Sequence, residues 1–121
     1  MNHKDLIVWQ KSIALVSHIY KQTNAYPQSE LFGLTSQMRR SAISIPSNIA
    51  EGCGRNSGKE LAQFLNIALG SASELETQVI ISCNLGFLQK ENIRETLNLL
   101  NEIIRMISAL IKSLKTRATN N

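Results

Sequence analysis

Aromatic residues make up 5% of this chain, and proline occurs twice in 121 residues. A β-sandwich or barrel draws heavily on aromatic and β-branched residues, so this scarcity, beside abundant Leu, Ile, Ala, Ser and Asn, favours helices. Cysteine is equally sparse. Cys53 and Cys83 stand 30 positions apart with no CxxC or Cys/His spacing, so neither a zinc site nor a disulfide framework is indicated. Two free thiols in a reduced, cytoplasmic protein are expected. No apolar run approaches the ~20 residues of a membrane span. The N-terminus lacks a signal-peptide core, its apolar run covering only residues 6–9. Acidic residues end at Glu102, after which Arg105, Lys112, Lys115 and Arg117 follow unopposed. Those four charges equal the excess of the whole chain, +4 from 13 Lys and Arg against 9 Asp and Glu.

Histidine, at His3 and His18, is too rare for most catalytic designs. A di-iron bundle needs Glu-x-x-His pairs, but Leu15 stands three residues before His18. Nucleophilic catalysis needs a serine or cysteine with a base in reach, and no motif supplies one. The run GCGRNSGKE is not a phosphate-binding loop. The four-residue gap before Gly58-Lys59 is missing, Glu60 stands where a hydroxyl is required, and no strand precedes it. No enzymatic activity, metal or cofactor is expected.

The remaining pattern is helical throughout, and the length suits one domain. A first helix over residues 5–24 places Leu6, Trp9, Ile13, Val16 and Tyr20 on one face, with Asp5 as its cap and Pro27 beyond its end. A second, over 28–53, starts loosely around residues 30–33 and carries the stripe Leu34, Met38, Ala42, Ile45 and Ile49 through Pro46. The periodicity stays in phase across the proline, which favours a kink over a break. Gly52, Gly54 and Gly58 suggest a left-handed termination. The third helix, 57–85, opens on a Ser57/Glu60 capping pattern. It carries Leu61, Leu65, Ala68, Ala72, Leu75, Val79 and Ser82 at alternating steps of four and three, and Gly86 is its stop. The fourth, 92–115, has the stripe Ile93, Leu97, Leu100, Ile104, Ile107, Ile111 and Leu114, followed by a frayed polar tail over 116–121. Beside that stripe runs a second: Leu99, Ile103, Met106 and Leu110. Such a width exceeds what one small core needs, so the second seam is expected to meet another subunit. Short connections make an antiparallel up-down-up-down four-helix bundle the expected fold.

Two surface features bear on function. Arg39, Arg40, Arg55, Lys59, Arg105, Lys112, Lys115 and Arg117 could contact the phosphates of RNA or DNA, which dominate affinity for a polyanion. The alternative is solvated helix faces. Arg40, Ser44, Asn48, Glu51 and Arg55 follow helical spacing on the side away from the second helix's apolar stripe. Glu51 and Arg55 form an (i, i+4) pair, and Arg39 or Arg40 is expected to reach Glu74 or Glu76 at a helix or subunit contact.

The runs LTSQMRRSAISIPSNIAEG and FLNIALGSASELETQ, preceded by DLIVWQKS, resemble the family of proteins encoded in the intervening sequences of bacterial 23S ribosomal RNA genes. The likeness spans residues 5–114. It departs at Cys53, where the family often has an aromatic, and at Ser41, where it often has Ala. The resemblance implies a four-helix bundle assembling as a homopentamer. It also implies kinship with accessory proteins of diversity-generating retroelements, basic pentamers that bind RNA and reverse transcriptase. The reading is therefore a non-enzymatic oligomeric bundle engaging structured RNA or DNA through basic surfaces. The alternative is a protein-interaction scaffold that binds no nucleic acid.

Overall fold

The computed structural model describes the backbone of residues 1–120 and the side chains of residues 1–117. Four long helices carry the fold: α1 (Ile7–Thr23), α2 (Ser36–Cys53), α3 (Gly58–Asn84) and α4 (Lys90–Asn120). No strand occurs among the described residues. Each helix packs against its two neighbours in a ring, α1 on α2 and α4, and α3 on α2 and α4. The contacts run antiparallel. Lys11 near the start of α1 pairs with Glu102 in α4, whereas His18 and Gln22 near its end meet Thr96 near the start of α4.

The helix ends show how sequence sets these boundaries. A 3-10 turn, His3–Asp5, precedes α1, and Asn2 accepts from its Lys4 amide at 3.0 Å. Asp5 is therefore inside that turn, and the helix starts at Ile7 with Leu6 at the N-cap and no side-chain cap bond. Ser57 caps α3 by accepting from the Glu60 amide at 3.2 Å. Gly86 ends α3 at φ 79°, the left-handed conformation that favours glycine. The Phe87 amide returns to Ser82 O at 2.9 Å and the Gly86 amide to Cys83 O at 3.0 Å, a Schellman closure. Gly54, which ends α2, stays right-handed at φ −83°. The glycines expected to turn the chain left-handed there serve another purpose. A Cβ on Gly52 would lie 2.9 Å from both Leu61 Cδ1 and Phe64 Cβ, so this glycine lets α2 and α3 meet.

Within α2 the helix passes through Pro46 as one element. An irregular stretch precedes it, where residues 28–30 form a 3-10 turn and Leu31–Thr35 a π-helical turn, with Gly33 at φ −112°, ψ −112°. Glu30 braces it, accepting from the Leu34 amide at 3.3 Å. At the other end of the chain, the tail expected over 116–121 is helical as far as Asn120; Asn121 lies outside the described residues.

The core matches the expected stripes in α2 and α3. Met38, Ala42, Ile45 and Ile49 are fully buried, as are Leu65, Ala68, Ala72, Leu75, Val79 and Ser82. In α1 the buried face is the neighbouring one: Val8, Ser12, Leu15, Ile19 and Thr23. Of the stripe expected there, Ile13 and Tyr20 are exposed, and Leu6, Trp9 and Val16 are partly buried. Ser12 and Thr23 hide this face from a hydrophobicity count. Their hydroxyls donate back to Trp9 O and Ile19 O at 2.7 Å, which satisfies them inside an apolar layer.

Three buried side-chain oxygens lack such a partner among the described residues, those of Gln22, Gln78 and Tyr26, and the last of these titrates. The Tyr26 hydroxyl is enclosed beneath Phe87 (ring centroids 5.5 Å apart) and has no hydrogen-bond partner among the described residues. Burial pushes its pKa above the ordinary value of about 10; the nearby Ser82 hydroxyl, whose proton goes to Gln78 O, offsets only part of this. Both folded and unfolded states hold the proton below that value. Above it the unfolded chain ionises first, so stability falls as pH rises. Tyr26→Phe is expected to leave neutral-pH stability within about 1 kcal/mol of wild type and to flatten the alkaline decline. Urea titrations at pH 7 and pH 11 measure both.

Candidate nucleic-acid interface

The end of the bundle where α2 stops, α3 starts and α4 finishes gathers half of the expected phosphate contacts. Lys59 lies one residue into α3, and Lys115 and Arg117 lie in the last turns of α4 that carry described side chains. Antiparallel packing sets these helix ends side by side. Together they line a groove of about 610 Å³ with Gly58, Ala62, Gln63, Asn66 and Leu114, and among the described residues no acid is in its lining. A Cβ on Gly58 would make ordinary van der Waals contact with Leu114 Cδ2, at 3.5 Å. Asn66 donates to Ala62 O at 3.0 Å, which fixes its amide along the wall.

Arg55 belongs to the same end, in the α2–α3 connection. Its guanidinium pairs with Glu51 at 2.9 Å, the expected (i, i+4) partner, and covers the Phe64 ring at 4.7 Å. Both charges are largely exposed, so the pair contributes little to stability. Lys112 and Arg105 lie further back on the solvent side of α4.

Arg39 and Arg40 are far from this end. Arg39 donates to Thr23 Oγ1 at 2.9 Å and to Asn24 Oδ1 at 3.0 Å, and it covers the Tyr20 ring at 4.5 Å. It clamps the end of α1 to α2. The expected pairing with Glu74 or Glu76 is absent among the described residues, because α3 packs on the other flank of α2. Arg40 is exposed. Glu74 is exposed and accepts only a long 3.5 Å contact from Gln78, and Glu76 is partly buried.

The other polar residues of α2 meet α3. Ser44 and Ser71 share a hydrogen bond at 2.7 Å, and Asn48 Nδ2 donates to Ser44 O at 2.8 Å and to Ser44 Oγ at 2.9 Å. This is a polar seam between two helices of one chain. Ser71 is the member sequence reasoning missed. Also missed was a cluster between α1 and α4, where the fully buried Thr96 donates to Asn92 O at 2.8 Å and accepts from Gln22 Nε2 at 2.8 Å. With its proton committed, the Thr96 hydroxyl must accept again from His18 Nε2 at 2.8 Å, which sets the proton-bearing nitrogen of that imidazole.

Of the subunit seam expected on α4, one residue of four lies within the protein's own core. Ile103 is fully buried, and Leu99, Met106 and Leu110 are partly buried against the core. Exposed apolar side chains lie elsewhere: Ile7, Ile13 and Tyr20 on α1, Ile43 on α2, and Ile67, Ile80 and Ile81 on α3. Sequence periodicity gave no sign of this, since it marks a wide apolar face without saying how much of it one chain covers.

Cys53 is buried, and burial pushes its thiol pKa up, offset in part by the N-terminal ammonium. It lies at the last turn of α2, whereas His18 lies towards the far end of the bundle against α4, so the two form no nucleophile–base pair. Among the described residues no group of three or more His, Cys, Asp and Glu comes together, and no helix is long and apolar enough to cross a membrane.

No protein of curated function matches the chain. A solved structure from Bacteroides thetaiotaomicron, described as a protein of unknown function from the S23 ribosomal protein family, is 26% identical. It superposes with a TM-score of 0.81, covering 93% of this chain and 99% of that one. The model of the 23S rRNA-intervening sequence protein family matches residues 4–109, which take in α1, α2 and α3 entire and most of α4. With fold, ordered motifs and family match in agreement, the chain belongs to the 23S rRNA-intervening sequence protein family.

Proposed function

We propose that this protein is a non-enzymatic, self-associating cytoplasmic bundle that binds structured RNA or DNA through the groove between the start of α3 and the end of α4. One observation carries the reading. Lys59 on α3 and Lys115 and Arg117 on α4, 56 and 58 positions further on, line one groove with no acid in its lining among the described residues. Phosphates favour such a cluster, and their neutralisation makes binding steeply salt-dependent. Self-association as a homopentamer would repeat the groove around a ring and multiply a modest charge of +4 per chain. The exposed apolar side chains of α1 and α3, diagonal across the bundle, support a head-to-tail contact between copies.

The test uses the purified full chain. Light scattering is expected to give a multiple of the 13.5 kDa chain mass. Fluorescence anisotropy with a structured RNA is expected to show affinity falling at least tenfold between 50 and 200 mM salt, a lower bound for several phosphate contacts. A protein that retains no RNA or DNA at low salt overturns the reading. In that event the same exposed apolar surface supports the second one, a scaffold for a protein such as a reverse transcriptase or another polymerase. Capture of that partner after nuclease treatment would establish it.

A further inference from the structure

The groove contains more than phosphates require. Electrostatic capture of a polyanion needs cations on an accessible surface, whereas here the walls between them are apolar (Ala62 and the partly buried Leu114) and carry two amides, Gln63 and Asn66. On α3 these residues are spaced along the helix: Lys59 in its first turn, Ala62 and Gln63 one turn on, Asn66 about 10 Å from Lys59 at the rise of an α-helix. Asn66 uses one amide N–H on Ala62 O, and its oxygen and second N–H are not needed for that bond. Gln63 is exposed, with donor and acceptor both available to a ligand. Cation, apolar wall and amide edge thus follow one another over about the span of a single nucleotide. We infer that the groove receives one unpaired nucleotide: its phosphate at Lys59 and Arg117, its base face on Ala62 and Leu114, its base edge at Gln63 and Asn66.

In a regular duplex the base faces are stacked on one another and hidden, and only phosphates and groove edges reach a protein. A concave site between two helices therefore selects for a nucleotide extruded at a bulge or loop. The opposite end of the bundle shows the contrast. There Arg39 is held by Thr23 and Asn24, and the neighbouring hollow is polar and only about 150 Å³.

This inference rests on the phosphate-binding reading of the groove, and the experiment separates the two. Anisotropy is measured with a blunt RNA duplex and with the same duplex carrying a one-nucleotide bulge, for wild type, Ala62→Trp and the double variant Gln63→Ala/Asn66→Ala. Wild type is expected to bind the bulged RNA about tenfold more tightly than the blunt duplex. Ala62→Trp fills the groove and is expected to abolish that preference. The amide variant changes only exposed side chains and tests the same point without altering packing. It is expected to reduce the preference at least threefold, with an unchanged circular dichroism melt. Equal affinity for both RNAs with steep salt dependence overturns the unpaired-nucleotide inference alone. A preference that survives both variants overturns it as well. Failure to bind either RNA at low salt overturns the underlying reading.

Discussion

Reversing two charges, Lys59→Glu with Arg117→Glu, is expected to weaken RNA binding about a hundredfold at low salt and to reduce the slope of log affinity against log salt by about two. The slope is the more telling quantity, because it counts phosphate contacts and is insensitive to loss of active protein. Loss of fold is not expected to confuse the result. Lys59 lies in the first turn of α3, where an acid is favoured by the helix dipole, and Arg117 is exposed near the end of α4. Arg40→Glu supplies the control. It makes half the charge change, −2 against −4, at an exposed site toward the other end of the molecule, and binding is expected to fall no more than about threefold from the altered net charge. A loss of about tenfold from Arg40→Glu, half the double variant's effect on log affinity, would mean that the protein attracts polyanions by total charge and that the groove has no special part in it.

The second large effect concerns two glycines that respond oppositely to one methyl group. Both lie inside helices, where glycine is less favourable than alanine by about 1 kcal/mol. At Gly70 no atom lies within 4 Å of the added Cβ, so Gly70→Ala is expected to raise stability by about that amount. At Gly52 the Cβ would meet Leu61 Cδ1 and Phe64 Cβ, both at 2.9 Å. The leucine tip can swing away, but the Phe64 Cβ is fixed to the backbone of α3. Gly52→Ala is therefore expected to cost about 1–3 kcal/mol despite its better helix propensity. The urea midpoints of the two variants should move in opposite directions with the slopes unchanged. Gly52 ends the SIPSNIAEG run, so this close approach gives a physical reason for a glycine there.

Much of the fold was legible because α3 advertises itself. Leu61, Leu65, Ala68, Ala72, Leu75 and Val79 sit at strict steps of four and three, and every one is buried. In α1 the same rule pointed to the wrong face. Apolar residues fill two adjacent stripes there, and the truly buried one is interrupted by Ser12 and Thr23, whose hydroxyls are satisfied by their own helix. On α4 the two stripes were both seen, but a pattern within one helix cannot tell whether Ile103 meets its own chain or another. It meets its own. The candidate site was visible only in pieces. Basic residues after Glu102 could be read directly, whereas their meeting with Lys59 depends on antiparallel helix ends coming together. Likewise nothing local links His18 to Thr96 across 78 positions. Arg39 shows the converse error, for its partners Thr23 and Asn24 are neutral and a search for opposite charge passed over them.

The π-helical turn over Leu31–Thr35 has a consequence for how this chain tolerates changes in length. A π turn bonds residue i to i+5, so it holds one residue more than the α turn occupying the same place. Phe32, within it, is 94% exposed and leaves no gap in the core when removed. Gly33, at φ −112°, ψ −112°, interrupts the helical path inside the turn, so the chain is already kinked there, ahead of the buried Met38, Ala42 and Ile45. A change of one residue in length is expected to be absorbed at this kink, where Leu31 and Phe32 are exposed, without shifting the buried stripe of α2.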